Sequence, residues 1–216
     1  MKKNILIFVF CVLVAGFTQG QENNATLGFT PSSYYTFSWN TTFTLGDFNK
    51  WVGNGSPAGF DLGGRYLINK GLTAGFNISW QRVSQQYPNE TFYGNDGSAI
   101  TATNYRFTWM VPFQAVIGYH FIPDQLVSPY ITLGIGGDYM EHHLMIQEYD
   151  IYETRWDFSL TPEVGALIKF GNYSSWGALV AFNYKWTTNK IELYNDKITN
   201  DLQMLNLKIG LCMIIR

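Results

Sequence analysis

The chain has 216 residues, 14 of them basic and 16 acidic, with a net charge of −2. Only 14% of residues are charged, against about 25% in ordinary soluble domains, while aromatic residues reach 17%. That balance excludes the basic footprint of a nucleic-acid-binding protein, so no nucleic-acid partner is expected.

The first twenty residues read as a leader rather than as fold. Lys2 and Lys3 open it, Ile5 to Val14 is apolar apart from Cys11, and the small residues Thr18 and Gly20 precede a cleavage point after Gly20. This is the pattern of a secretory signal peptide, and it is too short to span a membrane as a helix. Residues 21–33 form a periplasmic lead, and 34–216 the folded domain. That mature chain keeps one cysteine, Cys212, so it has no internal disulfide. A small exported domain often relies on disulfides; here another source of stability is needed.

From Thr36 onward the hydrophobic period is two, the period of a strand. Phe37, Trp39, Thr41 and Phe43 alternate with Thr36, Ser38, Asn40 and Thr42, up to a turn at Gly46-Asp47. Phe60, Leu62, Gly64, Tyr66 and Ile68 oppose Asp61, Gly63, Arg65 and Leu67, and Asn69-Lys70-Gly71 is a tight turn. Leu72, Ala74, Phe76, Ile78 and Trp80 then alternate with Thr73, Gly75, Asn77, Ser79 and Gln81. Ser84 to Ser98 is polar, with Pro88, Asn89 and Gly94, and is expected to be a loop. Tyr105 to Phe121 is a long alternating strand with Arg106, Thr108, Gln114, Gly118 and His120 on its polar parity. Pro123-Asp124 turns the chain into Ile131, Leu133 and Ile135. A charged tip, Glu148 to Glu153, leads to Trp156 through Ile168, with Asp157, Ser159, Thr161 and Glu163 opposite. Gly171-Asn172 turns again before Trp176 to Trp186. A polar loop over 189–200 precedes the last strand, Leu205 to Met213, with Asn206 and Lys208 on its polar side.

Eight segments of about 9 to 15 residues result, and about 9–11 residues suffice for a tilted strand to cross a bilayer. Long links (Gly46–Ala58, Ser84–Ala99, Asn189–Asp201) alternate with short ones, as extracellular loops and periplasmic turns do in outer-membrane barrels. A soluble lipocalin-type barrel alternates as well, with its apolar parity inward. Here the polar parity is rich in Gly, Ser, Thr and Asn rather than Lys and Glu, which suits a narrow lumen. Large aromatics (Trp39, Tyr66, Trp80, Trp109, Tyr119, Trp156, Trp176 and Trp186) sit near strand ends on the apolar parity, as an interfacial girdle does. The fold expected is all-β: an eight-stranded, antiparallel, up-and-down transmembrane β-barrel.

The chain resembles the small outer-membrane β-barrel proteins common in Bacteroidetes, within the wider family of eight-stranded outer-membrane barrels. The residues that carry the resemblance are Phe43-Thr44-Leu45-Gly46-Asp47, Gly71 through Trp80, Pro129 through Gly136, and Thr161-Pro162-Glu163-Val164-Gly165. The last is the most specific, a Pro-Glu-x-Gly in a strand with its Glu inward. The resemblance implies a bacterial outer-membrane location among lipid and lipopolysaccharide, and delivery by the outer-membrane assembly machinery. It brings no catalytic residue, cofactor or assigned ligand. Such barrels usually finish on an aromatic residue, whereas this chain ends Met213-Ile214-Ile215-Arg216.

The charges on the polar parity (Asp61, Arg65, Arg106, Asp157, Glu163, Lys185 and Lys208) have both signs and are expected to pair across the lumen. Glu163 is expected to meet one or more of Arg65, Arg106, Lys185 and Lys208, and its removal to cost about 3–5 kcal/mol. His142 and His143 point to opposite faces of one strand and cannot chelate a metal as neighbours. His120 reads as a satisfied lumen group. Three functions stand open. One is a structural or surface-interaction barrel. The second is a channel or carrier for small or apolar molecules, which predicts a lumen lacking a continuous charge network. The third is a lipid-modifying enzyme, which predicts a compact cluster such as Ser98, His142 and Glu141 or Glu148 near the outer rim. Chemistry of that kind is not expected from these spacings.

Overall fold

The computed structural model describes residues 32–68, 71–93, 97–188, 190–193, 196–198 and 201–215. The leader 1–20, most of the lead, the Asn69-Lys70 turn and Arg216 lie outside the described residues. Among the described residues, eleven strands and one helix follow in chain order: β1 (Ser33–Leu45), α1 (Gly46–Val52), β2 (Gly55–Ser56), β3 (Gly59–Leu67), β4 (Leu72–Tyr93), β5 (Ala99–His120), β6 (Val127–Ile146), β7 (Tyr149–Lys169), β8 (Trp176–Thr187), β9 (Ile191–Leu193), β10 (Asp196–Ile198) and β11 (Leu202–Ile215).

Eight of these strands (β1, β3 to β8 and β11) pair with their chain neighbours, all antiparallel. The ring closes between β1 and β11, from Ser33 opposite Ile215 to Leu45 opposite Gln203. Closure leaves no free edge in the ring, so each of its eight strands has a partner on both sides, as hydrocarbon requires. The β7–β8 ladder skips Thr161 and Pro162 and resumes at Glu163 opposite Asn183, because Pro162 has no N–H to give.

Alternation sorts the side chains by solvent. Phe37, Leu62, Phe76, Ile117, Ile135, Val164, Phe182 and Ile209 are exposed on the outer wall. Ser38, Asn40, Asp61, Asn77, Gln114, Asn183, Asn206 and Lys208 are buried inside. An exposed apolar wall around a buried polar interior is the inverse of a soluble barrel and matches a bilayer.

Five sequence expectations need correction at the outer end. Ser84 to Tyr93 is strand, not loop: β4 and β5 stay paired out to Tyr93 opposite Ala99, with a bulge between Tyr87 and Glu90. Pro88 and Asn89, the latter at φ 55°, occupy the bulge. Over Ser84 to Thr91 neither strand face is buried, so polar residues lose their period of two and hide the strand. The expected tip at Glu148 to Glu153 reduces to Gln147 and Glu148, since Ile146 already opposes Tyr149. The strands β4 to β7 are 20–22 residues long, twice what the membrane needs. The link Gly46–Ala58 holds α1 and β2, the latter paired to Thr42 and Phe43. The polar loop after Thr188 contains the β9–β10 hairpin.

Phe182 lies on the lipid face near mid-height and is 60% exposed. Phe182→Arg is expected to lower barrel stability by about 2–4 kcal/mol, read as a shifted denaturant midpoint in lipid vesicles. An unchanged midpoint would mean that this parity does not face hydrocarbon.

Candidate functional site: a filled lumen

The interior holds three layers. The lowest lies at the periplasmic mouth, where His120 at the end of β5 is fixed on both ring nitrogens. Nε2 is 2.9 Å from the Tyr34 hydroxyl and Nδ1 is 2.8 Å from the Ser128 hydroxyl. Beside it Lys169 donates to the Pro123 carbonyl at 2.7 Å, which ties the end of β7 to the β5–β6 turn.

Above this lies the charged layer. Lys208 on β11 reaches Asp61 of β3 at 2.8 Å and Glu163 of β7 at 3.0 Å, so one ammonium bridges the barrel. Glu163 also accepts from the Tyr130 hydroxyl at 3.0 Å and from Asn183 at 3.2 Å. Asn206 donates to Asn183 at 2.7 Å, and Asn77 donates to Asp61 at 2.6 Å. Gln114 donates to Ser159 and Thr161 at 2.9 and 2.8 Å. Arg65 lies next to this group, but its guanidinium donates to the Gly64 and Phe76 carbonyls. A second ion pair, Lys185 with Asp138, sits farther outward along the strands and is buried. The cavity left among Asp61, Arg65, Glu163 and Lys208 is about 10 Å³, room for no more than about one water.

The outer third is apolar. Val83, Met110, Met140, Leu144, Leu202 and Met204 line the wall, and α1 lowers Phe48, Trp51 and Val52 among them. Ile191 and Leu193 of β9 join the same cluster. The spacing 48, 51, 52 puts the three α1 residues on one helical face. Tyr87 donates to the Lys50 carbonyl at 2.9 Å. Arg106 stands over the plug between the Trp51 and Tyr87 rings, at 4.7 and 4.8 Å from their centroids. Its charge is met by Glu90 at 2.8 Å.

Of the charges singled out in the sequence, the structure therefore brings Asp61, Glu163 and Lys208 together, with Arg65 alongside. Arg106 pairs with Glu90 near the outer mouth rather than with Glu163. Lys185 pairs with Asp138. Asp157 lies inward beside Asp138 on the neighbouring strand, and forms no ion pair with any described residue. Sequence reasoning missed Glu90 because its segment read as loop. It missed Asp138 because the strand was ended at Gly136, although Asp138 keeps the inward parity of Thr132, Gly134 and Gly136.

The girdle residues point outward. Trp39, Tyr66, Trp109, Tyr119, Trp156 and Trp176 are exposed, and Trp80 and Trp186 half-buried. Trp80, Trp109, Trp156 and Trp186 lie toward the outer side, and Tyr66, Tyr119 and Trp176 at the periplasmic ends of their strands. The enzyme constellation is not assembled: His142 is buried in the lumen, 2.9 Å from Thr108, while Glu141 is on the outer wall, where it accepts from Tyr139. Ser98 and Glu148 are exposed at separate outer turns.

The sequence matches no protein-family model and no curated protein. Among solved structures the chain is similar to Neisserial surface protein A, at 12% identity and a TM-score of 0.53, over 86% of this chain and 98% of that one. It is also similar to the outer-membrane protein OprG from Pseudomonas aeruginosa, at 11% identity and a TM-score of 0.50, over 88% of this chain and 99% of that one. At such identities the likeness is one of fold, and the fold is that of a bacterial outer-membrane β-barrel.

The bridging ammonium makes the charged layer asymmetric. Lys208→Met leaves two buried carboxylates unmatched and is expected to cost about 3–5 kcal/mol. Glu163→Gln leaves Lys208 with Asp61 and is expected to cost less. Thermal melting in detergent checks the order; equal losses would show that the two carboxylates do not share one cation.

Proposed function

We propose that the protein is an exported outer-membrane barrel with a closed lumen, which works at the cell surface through its outer extension. The carrying observation is the filling of the lumen: an ion network in its lower part and an apolar plug above. An eight-stranded barrel has an interior just wide enough for side chains to fill, and here they fill it. The functional surface is then the part above the membrane: the long β4–β7 walls, α1, and the β9–β10 hairpin. In this reading the protein has no enzymatic activity, and its extracellular ligand is unassigned. It follows the Bacteroidetes-type pattern of Thr161-Pro162-Glu163-Val164-Gly165. Export runs through the leader at 1–20, insertion through the assembly machinery, and lipid and lipopolysaccharide surround the wall.

A specific observation favours one second reading. The upper lumen is apolar and closed by a seven-residue helix, which is too short to be stable without its packing. A carrier for apolar molecules would use that chamber with α1 displaced.

Mass measurement of the protein from outer membranes is expected to show a chain beginning at Gln21. Single-channel recording in planar bilayers separates the two readings. The wild type is expected to give no discrete openings. Trp51→Ala, which removes the largest side chain of the plug, is expected to lose about 3–5 kcal/mol of stability and still not conduct, because the ion network below remains. Steady openings in the wild type would sink the closed-lumen reading and favour transport.

A further inference from the structure

The outer wall carries almost no charge, which makes its exceptions informative. Among the described residues of the eight barrel strands only Arg82, Glu141, His143 and Asp150 place an ionisable acid, base or imidazole on the outward parity, all near the outer end. Three of them satisfy one another. His143 lies 3.0 Å from Asp150 and 3.7 Å from Glu141, and Glu141 also accepts from Tyr139 at 2.5 Å.

Arg82 is different. It follows Trp80 by two residues on the same face of β4, and sits opposite Trp109 of β5. Its guanidinium carbon is 5.0 Å from the Phe107 ring centroid and 5.8 Å from that of Trp109. Its one hydrogen-bond contact among the described residues is a long 3.5 Å reach from Nη2 to the Tyr105 hydroxyl. Nε is covered and has no partner, and no described carboxylate pairs with the side chain. Two rings hold the cation in place without neutralising it. Trp80 and Trp109, whose rings meet edge-on at 6.3 Å, belong to the outer aromatic belt, and such a belt marks the headgroup level. Arg82 stands one strand pleat above it. A charge at that height and facing outward meets the phosphates of the outer leaflet. Below it, Phe60, Phe76 and Ile78 form an exposed apolar surface on which acyl chains can lie.

We propose that Arg82, with Tyr105, Phe107 and Trp109, is a binding site on the outer wall for a phosphate group of a phosphorylated glycolipid in the outer leaflet. The site rests on the outer-membrane reading above. Arg82 supplies the charge-assisted hydrogen bond, the Tyr105 hydroxyl a second donor, and the rings a fixed platform.

The test uses the folded protein purified from outer membranes and reconstituted in phosphatidylcholine nanodiscs doped with bis-phosphorylated lipid A. Retained glycolipid per barrel is counted by mass spectrometry after detergent washing. The wild type is expected to retain about tenfold more than Arg82→Gln, the scale of one charge-assisted hydrogen bond, with Arg82→Lys between them. Phosphatase-treated glycolipid is expected to be retained equally by both, and excess inorganic phosphate to displace nothing. Equal retention by wild type and Arg82→Gln overturns the proposal; displacement by inorganic phosphate replaces the lipid site by a general anion spot and overturns it too. A heat-dependent gel shift reports folding separately, so loss of the shift in the wild type strikes the outer-membrane reading and not this site. If Arg82→Gln alone fails to fold, Ser84→Asp places a carboxylate on the same face of β4 beside Arg82. It is expected to lower retention to the same level, and unchanged retention in Ser84→Asp overturns the proposal.

Discussion

A strand placed in hydrocarbon cannot leave its amides unpaired, and this constraint governs the rest of the molecule. It is met at one seam, where β1 lies along β11 from Ser33–Ile215 to Leu45–Gln203. The seam joins the two ends of the described chain, so no local segment is a stable barrel piece before the last strand arrives. Closure also fixes which parity is inside. Once Trp39 and Ile209 face each other on the outer wall, Asn40 and Lys208 must face each other in the lumen, and every later residue follows by alternation.

Closure by eight strands leaves an interior too narrow for a water column, so polar side chains there must supply one another's partners. That explains why the lower lumen is built from amides, hydroxyls and matched charges, and why Lys208 serves two carboxylates at once. A buried pair contributes little net stability relative to an apolar pair of the same size. Its value here is positional: Asp61, Glu163 and Lys208 come from β3, β7 and β11, strands that do not touch along the wall. The network therefore ties the barrel across its diameter, where no backbone hydrogen bond can. The upper lumen solves the same filling problem with α1 and β9, which insert apolar residues where the wall offers Met110, Met140 and Met204. Flexible thioethers suit a space whose shape is set by two separate insertions.

Much of the wall was legible because bilayer and lumen impose opposite demands on adjacent residues. Leu72 through Gln81 obeys that rule at each position, and the structure places each parity accordingly. The rule stops where the bilayer stops. Ser84 to Tyr93 continues the same strand past the bulge between Tyr87 and Glu90, yet water on both faces over most of its length removes the pattern that would reveal it. Glu90, the partner of Arg106, was hidden with it. The helix α1 was hidden for another reason: seven residues give no helical period to detect, and only the triplet Phe48, Trp51, Val52 hints at a buried face. Within the lumen, parity told which charges are inside but not which ones meet. Arg106 and Glu163 share the inward face, but Glu163 aligns through Thr132 with Gly118 near the periplasmic end of β5, whereas Arg106 lies toward its outer end, so Arg106 pairs with Glu90.

Height along the strands and parity together also explain where outward charges are tolerated. Between the periplasmic aromatics Tyr66, Tyr119 and Trp176 and the outer belt of Trp80, Trp109 and Trp156, outward positions of the described strands are apolar, small or uncharged polar. The first outward charge, Arg82, stands immediately above Trp80, and Glu141 and His143 stand above Tyr139 on β6. The hydrocarbon boundary is thus written into the wall as the height at which an outward charge first becomes affordable. Above it the same strands continue, but their outer face is chosen for what it meets rather than for lipid. The outer extension is consequently the part of the chain free to acquire partners, while the belt below it is held to one composition by the membrane.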